Sequence, residues 1–215
     1  MIVLENFRLT DRDFHVFQEV ARWRVALSRH LKNLADFSSQ RTCDRRLKKL
    51  IESGFLRRKK YIYGVPYLYF LTHKAKILIH VSTHQPKIRI EQIAHDISVL
   101  DTAIYIHNEK TVPFSDMQTE KELHGADGFS NRRHRPDFVF KQDGKNVCVE
   151  VELSLKAKTR LEKNIQSNFS IYDNQLWVVP SMHCKIAGIL QEQSNIYPGI
   201  EIIPLEEVNH YAGNH

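Results

Sequence analysis

Apolar positions recur at helical spacing through the first part of the chain. Phe14, Phe17, Val20 and Ala21 fall on one face of DRDFHVFQEVARW, and Thr10 with Asp13 has capping-box spacing, so a helix is expected from residue 11. A second, short helix is expected over 25–35. In SSQRTCDRRLKKLIESGF the inward stripe is Cys43, Leu47, Leu50 and Ile51; Ser38 or Ser39 can cap the start, and Gly54 suits a left-handed end. The period then changes. FLRRKKYIYGVPYLYFLT places two β-rich runs around Gly64-Val65-Pro66, which predicts a hairpin directly after the third helix. Tyr61, Tyr63, Tyr67 and Tyr69 alternate at strand period and are expected to pack that hairpin.

THKAKILIHVST, capped by Thr72, reads as a helix closing the segment, and Thr83-His84-Gln85-Pro86 is the best boundary because Pro86 disfavours helix at the residue before it. A further helix follows, with Ile90, Ile93, Ile97, Leu100 and Ile104 as its stripe; His95 lies off the stripe and reads as structural. Beyond residue 111 short strands alternate with helices. VCVEVELS is the strongest strand signal: Val147, Val149, Val151 and Leu153 face one way, Cys148, Glu150, Glu152 and Ser154 the other. HRPDFVFKQDGKN is a strand with Asp137 at its start and a turn at 142–145, so the two should pair as an antiparallel hairpin and bring Asp137 near Glu150. A helix in KAKTRLEKNIQSNF, a strand in QLWVVP, a helix over 183–193 and a strand in IEIIPL complete a small α/β domain.

Charge divides the chain more sharply than its total of +6 suggests. Residues 1–90 hold 19 Lys/Arg against 7 Asp/Glu, and residues 91–215 hold 12 against 18. A basic first half points to a polyanionic partner. Three helices followed by a hairpin resemble a winged helix-turn-helix, assigned to residues 1–84. Gln40, Arg41, Asp44, Arg45, Lys48 and Lys49 lie off the apolar stripe of the third helix, so its outward face can read bases and contact phosphates. Arg57, Arg58, Lys59 and Lys60 bring further cations to the hairpin. The implied partner is double-stranded DNA; protein docking by the same unit is the alternative. Cys43, Cys148 and Cys184 form neither a CxxC pair nor an even framework, and no apolar run approaches a membrane span, so a reduced, cytoplasmic setting is expected.

The second half concentrates carboxylates. Asp137, Glu150 and Glu152 brought together beside an ammonium, Lys156, would repel unless a hard divalent cation, Mg²⁺ or Mn²⁺, offset them. Such a centre suits phosphodiester chemistry. Glu150 and Glu152 on the solvent face of a strand is the competing reading. Glu120 is a candidate fourth carboxylate, or a solvated charge. His124 and His134, beside Arg132, Arg133 and Arg135, could contact a phosphate or form a surface basic patch. There is no HExxH, Walker A loop, GxSxG or His-hydrophobic-His triplet.

Pro136-Asp137 followed by Glu150-Val151-Glu152 resembles the PD-(D/E)XK nuclease core, with Glu152 where that core has lysine and Lys156 as the nearest substitute. With the N-terminal unit, the layout resembles the replication-relaxation proteins of plasmids and conjugative elements, in particular their restriction-endonuclease-like relaxases of the MOBC class. LTDRDFHVFQEV, RRLKKLIESGFL, LTHKAK, TEKELHG, RPDFVF and VEVELSLKAKTRLEKNI carry the likeness. It implies an α/β (α+β) chain with a nuclease-like mixed-sheet domain over 85–215, which nicks one strand at a transfer origin beside relaxosome or type IV secretion partners. It also implies metal-site roles for Asp137, Glu150 and Glu152 and a catalytic ammonium on Lys156. Water is the simplest nucleophile, and Tyr172 an alternative. The Glu152 departure keeps open a non-catalytic DNA-binding regulator.

Overall fold

The computed structural model describes residues 3–4, 7–83, 88–127, 133–155 and 157–213. They divide into two packed units, Met1–Leu100 and Asp101–His215. Of the boundary expected at 84/85, His84, Gln85 and Pro86 lie outside the described residues. The hydrophobic cluster of Val25, Leu27, Leu68, Phe70 and Ile93 takes in Ile88 and Ile97, so the segment just after that boundary packs with the first unit.

In the first unit a short pair, β1 (Val3–Leu4) and β2 (Phe7–Arg8), precedes α1 (Asp11–Arg22). The α1 start is where the Thr10 signal puts it: the Asp13 carboxylate accepts the Thr10 backbone N–H at 2.7 Å and its hydroxyl at 2.9 Å. The buried stripe is centred on Val16 and Phe17, with Phe14 and Val20 at its margin and Asp13 inside it. Asp13 is tolerated there because Arg46 donates to it from α3 (Gln40–Glu52), Nε to Oδ1 at 2.7 Å and Nη2 to Oδ2. Between them lies α2 (Ser28–Leu34). Ser39 caps α3 by accepting the Thr42 N–H at 3.2 Å, and Cys43, Leu47 and Leu50 are fully buried. Gly54 ends the turn after α3 at φ 73°, a region other residues enter at a cost.

Strands β3 (Leu56–Lys59) and β4 (Leu68–Leu71) pair antiparallel from Leu56↔Leu71 to Lys59↔Leu68. The strands are shorter than the sequence period suggests, leaving residues 60–67 as a loop. The four tyrosines therefore separate. Tyr69 is buried on β4 and Tyr61 packs edge-on against Phe70, whereas Tyr63 is 98% exposed, so the expectation that all four pack the hairpin fails. On its other side β4 receives a backbone bond, Tyr69 N–H to Ala26 C=O at 2.9 Å. Thr72 caps α4 (His73–Leu78) as expected. The helix α5 (Ile93–Lys110) contains the junction between the units.

The second unit is built on a mixed five-stranded sheet in the order β5-β6-β7-β8-β9: β5 (Gln118–Thr119), β6 (Phe138–Gln142), β7 (Lys145–Val151), β8 (Asn174–Val179) and β9 (Ile200–Pro204). The first three strands are antiparallel, and β7, β8 and β9 run parallel. The β6–β7 hairpin turns through Asp143 and Gly144, both at positive φ (49° and 77°), as a two-residue primed turn requires. Helix α6 (Glu120–Asp127) follows β5; α7 (Lys158–Phe169) and α8 (Lys185–Ser194) are the parallel crossovers; α9 (Leu205–Gly213) follows β9. Leu161 and Ile165 of α7 and Ile186, Ala187 and Leu190 of α8 pack on Trp177 and Val179 of β8. As the central strand, β7 is buried from Val147 to Val151 on both faces, as expected for strands with crossovers.

Candidate functional site

Strand register sets the geometry of the carboxylates. Thr119 pairs Phe138, Phe138 pairs Val149, and Glu150 pairs Trp177. One step further, the Glu120 N–H donates to the Asp137 carbonyl at 2.8 Å and the Asp137 N–H to the Val149 carbonyl at 3.1 Å. Glu120 thus lies beside Asp137, and Asp137 lies against the end of β7, where its charge bears on Glu150, which pairs Trp177 on its other side. The hairpin pairing expected from sequence forms, and it sets Asp137 against the Val149–Val151 end of β7, near enough for its charge to act on Glu150.

Glu150 is buried at 8% exposure, so it is not the solvent face of a half-exposed strand. Its Oε1 accepts from His134 Nε2 at 2.5 Å and from Asn168 Nδ2 of α7 at 2.9 Å. Burial, reinforced by the Asp137 charge, pushes the Glu150 carboxyl above its ordinary range against the opposing pull of His134. Burial lowers His134, but its bond to Glu150 outweighs this and raises it. The pair is a short contact between two part-buried titratable groups. Asp137 Oδ2 accepts the Val151 N–H at 2.8 Å, which ties that carboxylate to the end of β7.

The alternation of 133–135 explains how His134 reaches Glu150. Arg133 and Arg135 both turn to Asp127 at the end of α6, with Arg133 Nη2 to Oδ1 at 2.5 Å and Arg135 Nε to Oδ2 at 3.0 Å. His134 consequently points the other way. Arg133 holds the Asp127 carboxyl below its ordinary range, helped by Arg135. Arg135 is buried in this clamp and is not part of a surface basic patch; Arg132 lies outside the described residues.

Of the remaining candidates, Glu120 lies 3.6 Å from His124 Nε2, one turn along α6. Glu152 follows the end of β7, its N–H bonded to the Val178 carbonyl at 2.9 Å and its residue half-buried. Lys156 lies outside the described residues. Arg160, in the first turn of α7, is a cation close enough to oppose protonation of His134. Sequence reasoning passed over Arg160, Asn168 and Asp127. Their positions along the chain give no signal, since only the crossover brings Arg160 and Asn168 of α7 back to β7 and only the fold brings Asp127 to the 133–135 segment. Tyr172 is half-buried, and burial with the nearby Cys148 pushes its hydroxyl up to about 12.

Among the described residues, no group of three or more His, Cys, Asp or Glu side chains is placed to hold an ion. A Mg²⁺ ion, however, commonly takes one or two carboxylates and fills its octahedron with water. Asp137 and Glu150 are donors of the type such an ion takes.

In the first unit, Arg41, Arg45, Lys48 and Lys49 are exposed on α3, and Gln40 donates to Asp44 at 2.9 Å. Along the hairpin Arg57 lies over Phe70, Arg58 over Tyr67, Lys59 over Tyr61 and Lys60 over Tyr63, at 4.4–5.4 Å from the ring centroids. Each of these cations thus lies over an aromatic ring of the hairpin or its loop. No helix among the described residues is long and apolar enough to cross a membrane. No protein-family model matches the chain, and a search of curated proteins finds no match.

Proposed function

We propose that this protein binds double-stranded DNA through its first unit and cuts one strand with a metal-dependent site in its second, as a nicking endonuclease or relaxase of a mobile element. The carrying observation is that the β6–β7 hairpin brings Asp137 beside a buried Glu150, with Glu120 next to Asp137. Burying a carboxylate on a central strand is costly unless it is matched by partners or used. The first unit is read as a winged helix-turn-helix: α3 supplies the exposed cations, β3 and β4 form the wing, and the Ala26 backbone contact stands for its third strand.

Asp137 and Glu150 would hold Mg²⁺ or Mn²⁺, with Glu120 and Glu152 flanking. When bound, the ion would neutralise charge on the phosphoryl oxygens and acidify a bound water. The protein's own groups do the positioning. The Val151 N–H fixes Asp137, and Asn168 fixes Glu150 from the side of α7. Trp177, which pairs with Glu150 across β7 and β8, is fully buried. Lys156 is proposed as the ammonium beside the scissile phosphate, in place of the lysine that Glu152 replaces. Relaxosome and type IV secretion components are the partners this reading implies.

The test is a supercoiled plasmid carrying the DNA that flanks the protein's own coding sequence, incubated with Mg²⁺ or Mn²⁺. Wild type should yield open circles, and Asp137→Ala should yield none. Absence of nicking by wild type under both ions would remove the enzymatic reading. The regulator reading draws on a specific observation, that Glu150 Oε1 already has two donors. Titration calorimetry with Mn²⁺ separates the two: heat lost in Glu150→Ala supports the nuclease, and no heat from wild type with DNA present supports the regulator.

A further inference from the structure

A cavity of about 600 Å³ opens between the start of α1 and the flank of α3. Arg12, Arg45 and Lys49 line it, and Arg46 lines it with its charge committed to Asp13. Neither the Arg45 nor the Lys49 side chain has an ion-pair or hydrogen-bond partner among the described residues. Asp11 is the remaining carboxylate, so with the Arg46–Asp13 pair set aside the lining carries three cations against one anion. Like charges gathered around one concavity repel each other, and an anion arriving there relieves that repulsion.

The arrangement also has shape. The Arg12 guanidinium lies 5.1 Å from the centroid of Phe37, whose ring is buried and fixed. A guanidinium held over a ring offers an N–H fork suited to two oxygens of one phosphoryl group, which a lysine cannot copy. Arg45 and Lys49, one turn apart on α3, converge on the cavity from the opposite wall.

We propose that this cavity is a seat for a phosphoryl group, with Arg12 as its fork and Arg45 and Lys49 as its charge. The same chemistry can arrive on a DNA backbone or on a free phosphorylated small molecule. The backbone is the expected source, because Arg45 and Lys49 belong to the exposed face of α3 assigned to DNA, and in that respect the inference rests on the proposed DNA binding. It adds Arg12, a residue outside the helix and hairpin that carry the other cations.

The experiment uses the full chain with pyrophosphate as probe, followed by calorimetry and by amide chemical shifts. Pyrophosphate should bind wild type, and both Arg12→Ala and the charge-conserving Arg12→Lys should weaken it, Arg12→Ala by about tenfold or more. In parallel, Arg12→Ala should flatten the dependence of log affinity for duplex DNA on log salt by about 0.9. Displacement of pyrophosphate by duplex identifies the backbone as the occupant; simultaneous binding of both identifies a small molecule. A protein that binds no DNA yet holds pyrophosphate through Arg12 retains the seat and loses the DNA reading. Pyrophosphate affinity unchanged in Arg12→Ala, or no binding by wild type, overturns the proposal.

Discussion

Asp13 in the first unit and Glu150 in the second are both buried acids, and their partners drive them in opposite directions. Burial opposes the charge on Asp13, but the Arg46 guanidinium and the Thr10 N–H and hydroxyl overcome it, and its carboxyl titrates below the ordinary range. Glu150 meets an imidazole, an amide and the nearby Asp137 charge; burial wins and its carboxyl is raised. A guanidinium never gives up its proton, so the first pair is a permanent pin between α1 and α3. An imidazole can give up its proton, so the second pair can be opened by a change of protonation or of partner. One buried carboxylate holds the fold, and the other is held in readiness.

The largest expected effect breaks the pin. Arg46→Met leaves Asp13 buried without its cation, a loss of about 3–5 kcal/mol, read as a lower urea midpoint. The sign with pH follows from the lowered carboxyl. Its contribution is present above the unfolded carboxyl value and is lost as pH falls through the lower folded value. Wild type should therefore lose stability below about pH 4, taking the unfolded aspartate at ~3.9, and Asp13→Asn should flatten that slope. An unchanged acid limb in Asp13→Asn would show that the pin is not charged.

Next in size is His134→Leu, which removes the donor from Glu150 and leaves a buried acid with Asn168 alone. About 1–3 kcal/mol should be lost. Glu150 and His134 are both raised, so the stability they supply is present at acidic pH and lost as pH rises through their folded values, the reverse of Asp13. In Glu150→Gln that alkaline decline should vanish while the fold persists, because an amide oxygen still accepts from Asn168. Urea midpoints at pH 5 and pH 8 measure both. A decline of the same size in Glu150→Gln would place its origin elsewhere.

How far the sequence foretold these two sites depends on how local their causes are. The Thr10–Asp13 box, the Ser39 cap and the Asp143-Gly144 turn are interactions within four residues, and each lies where the pattern puts it. That Asp137 comes near Glu150 was legible too, because a two-residue turn fixes the register of the hairpin it closes. What could not be read was long-range. Alternation in VCVEVELS suggests a strand with one wet face, whereas β7 is central and covered on both, which only the order β6-β7-β8 determines. Arg46 looks like one more cation of a basic helix until α1 presents Asp13 to it, and Arg135 likewise until α6 presents Asp127. Tyr63 alternates like a strand residue but belongs to a loop.

The hairpin that brings Asp137 near Glu150 rests on Gly144 at φ 77°, with nothing near its α-carbon to clash with a methyl group. Gly144→Ala should therefore cost only its backbone strain, about 1–2 kcal/mol. Its nicking activity per folded molecule should remain if register survives. A variant that folds fully yet nicks less would show that the turn positions Asp137 as well as closing the hairpin.

The smallest effect on stability should come from the exposed cations. Arg41→Ala with Lys48→Ala removes two charges from α3, one of them 3.8 Å from Glu52 in a solvated pair, so the fold should shift by no more than about 0.5 kcal/mol. DNA binding is where the pair should register. Each lost phosphate contact lowers the salt slope by about 0.9, so the double variant should lose up to about twice that. A residue that reads bases behaves otherwise, narrowing the gap between specific and random duplex while the slope holds. Measuring slope and specificity together therefore assigns each α3 cation to backbone or base. If neither quantity moves, the exposed face of α3 does not meet DNA at all, and the basic charge of the first unit serves another anion.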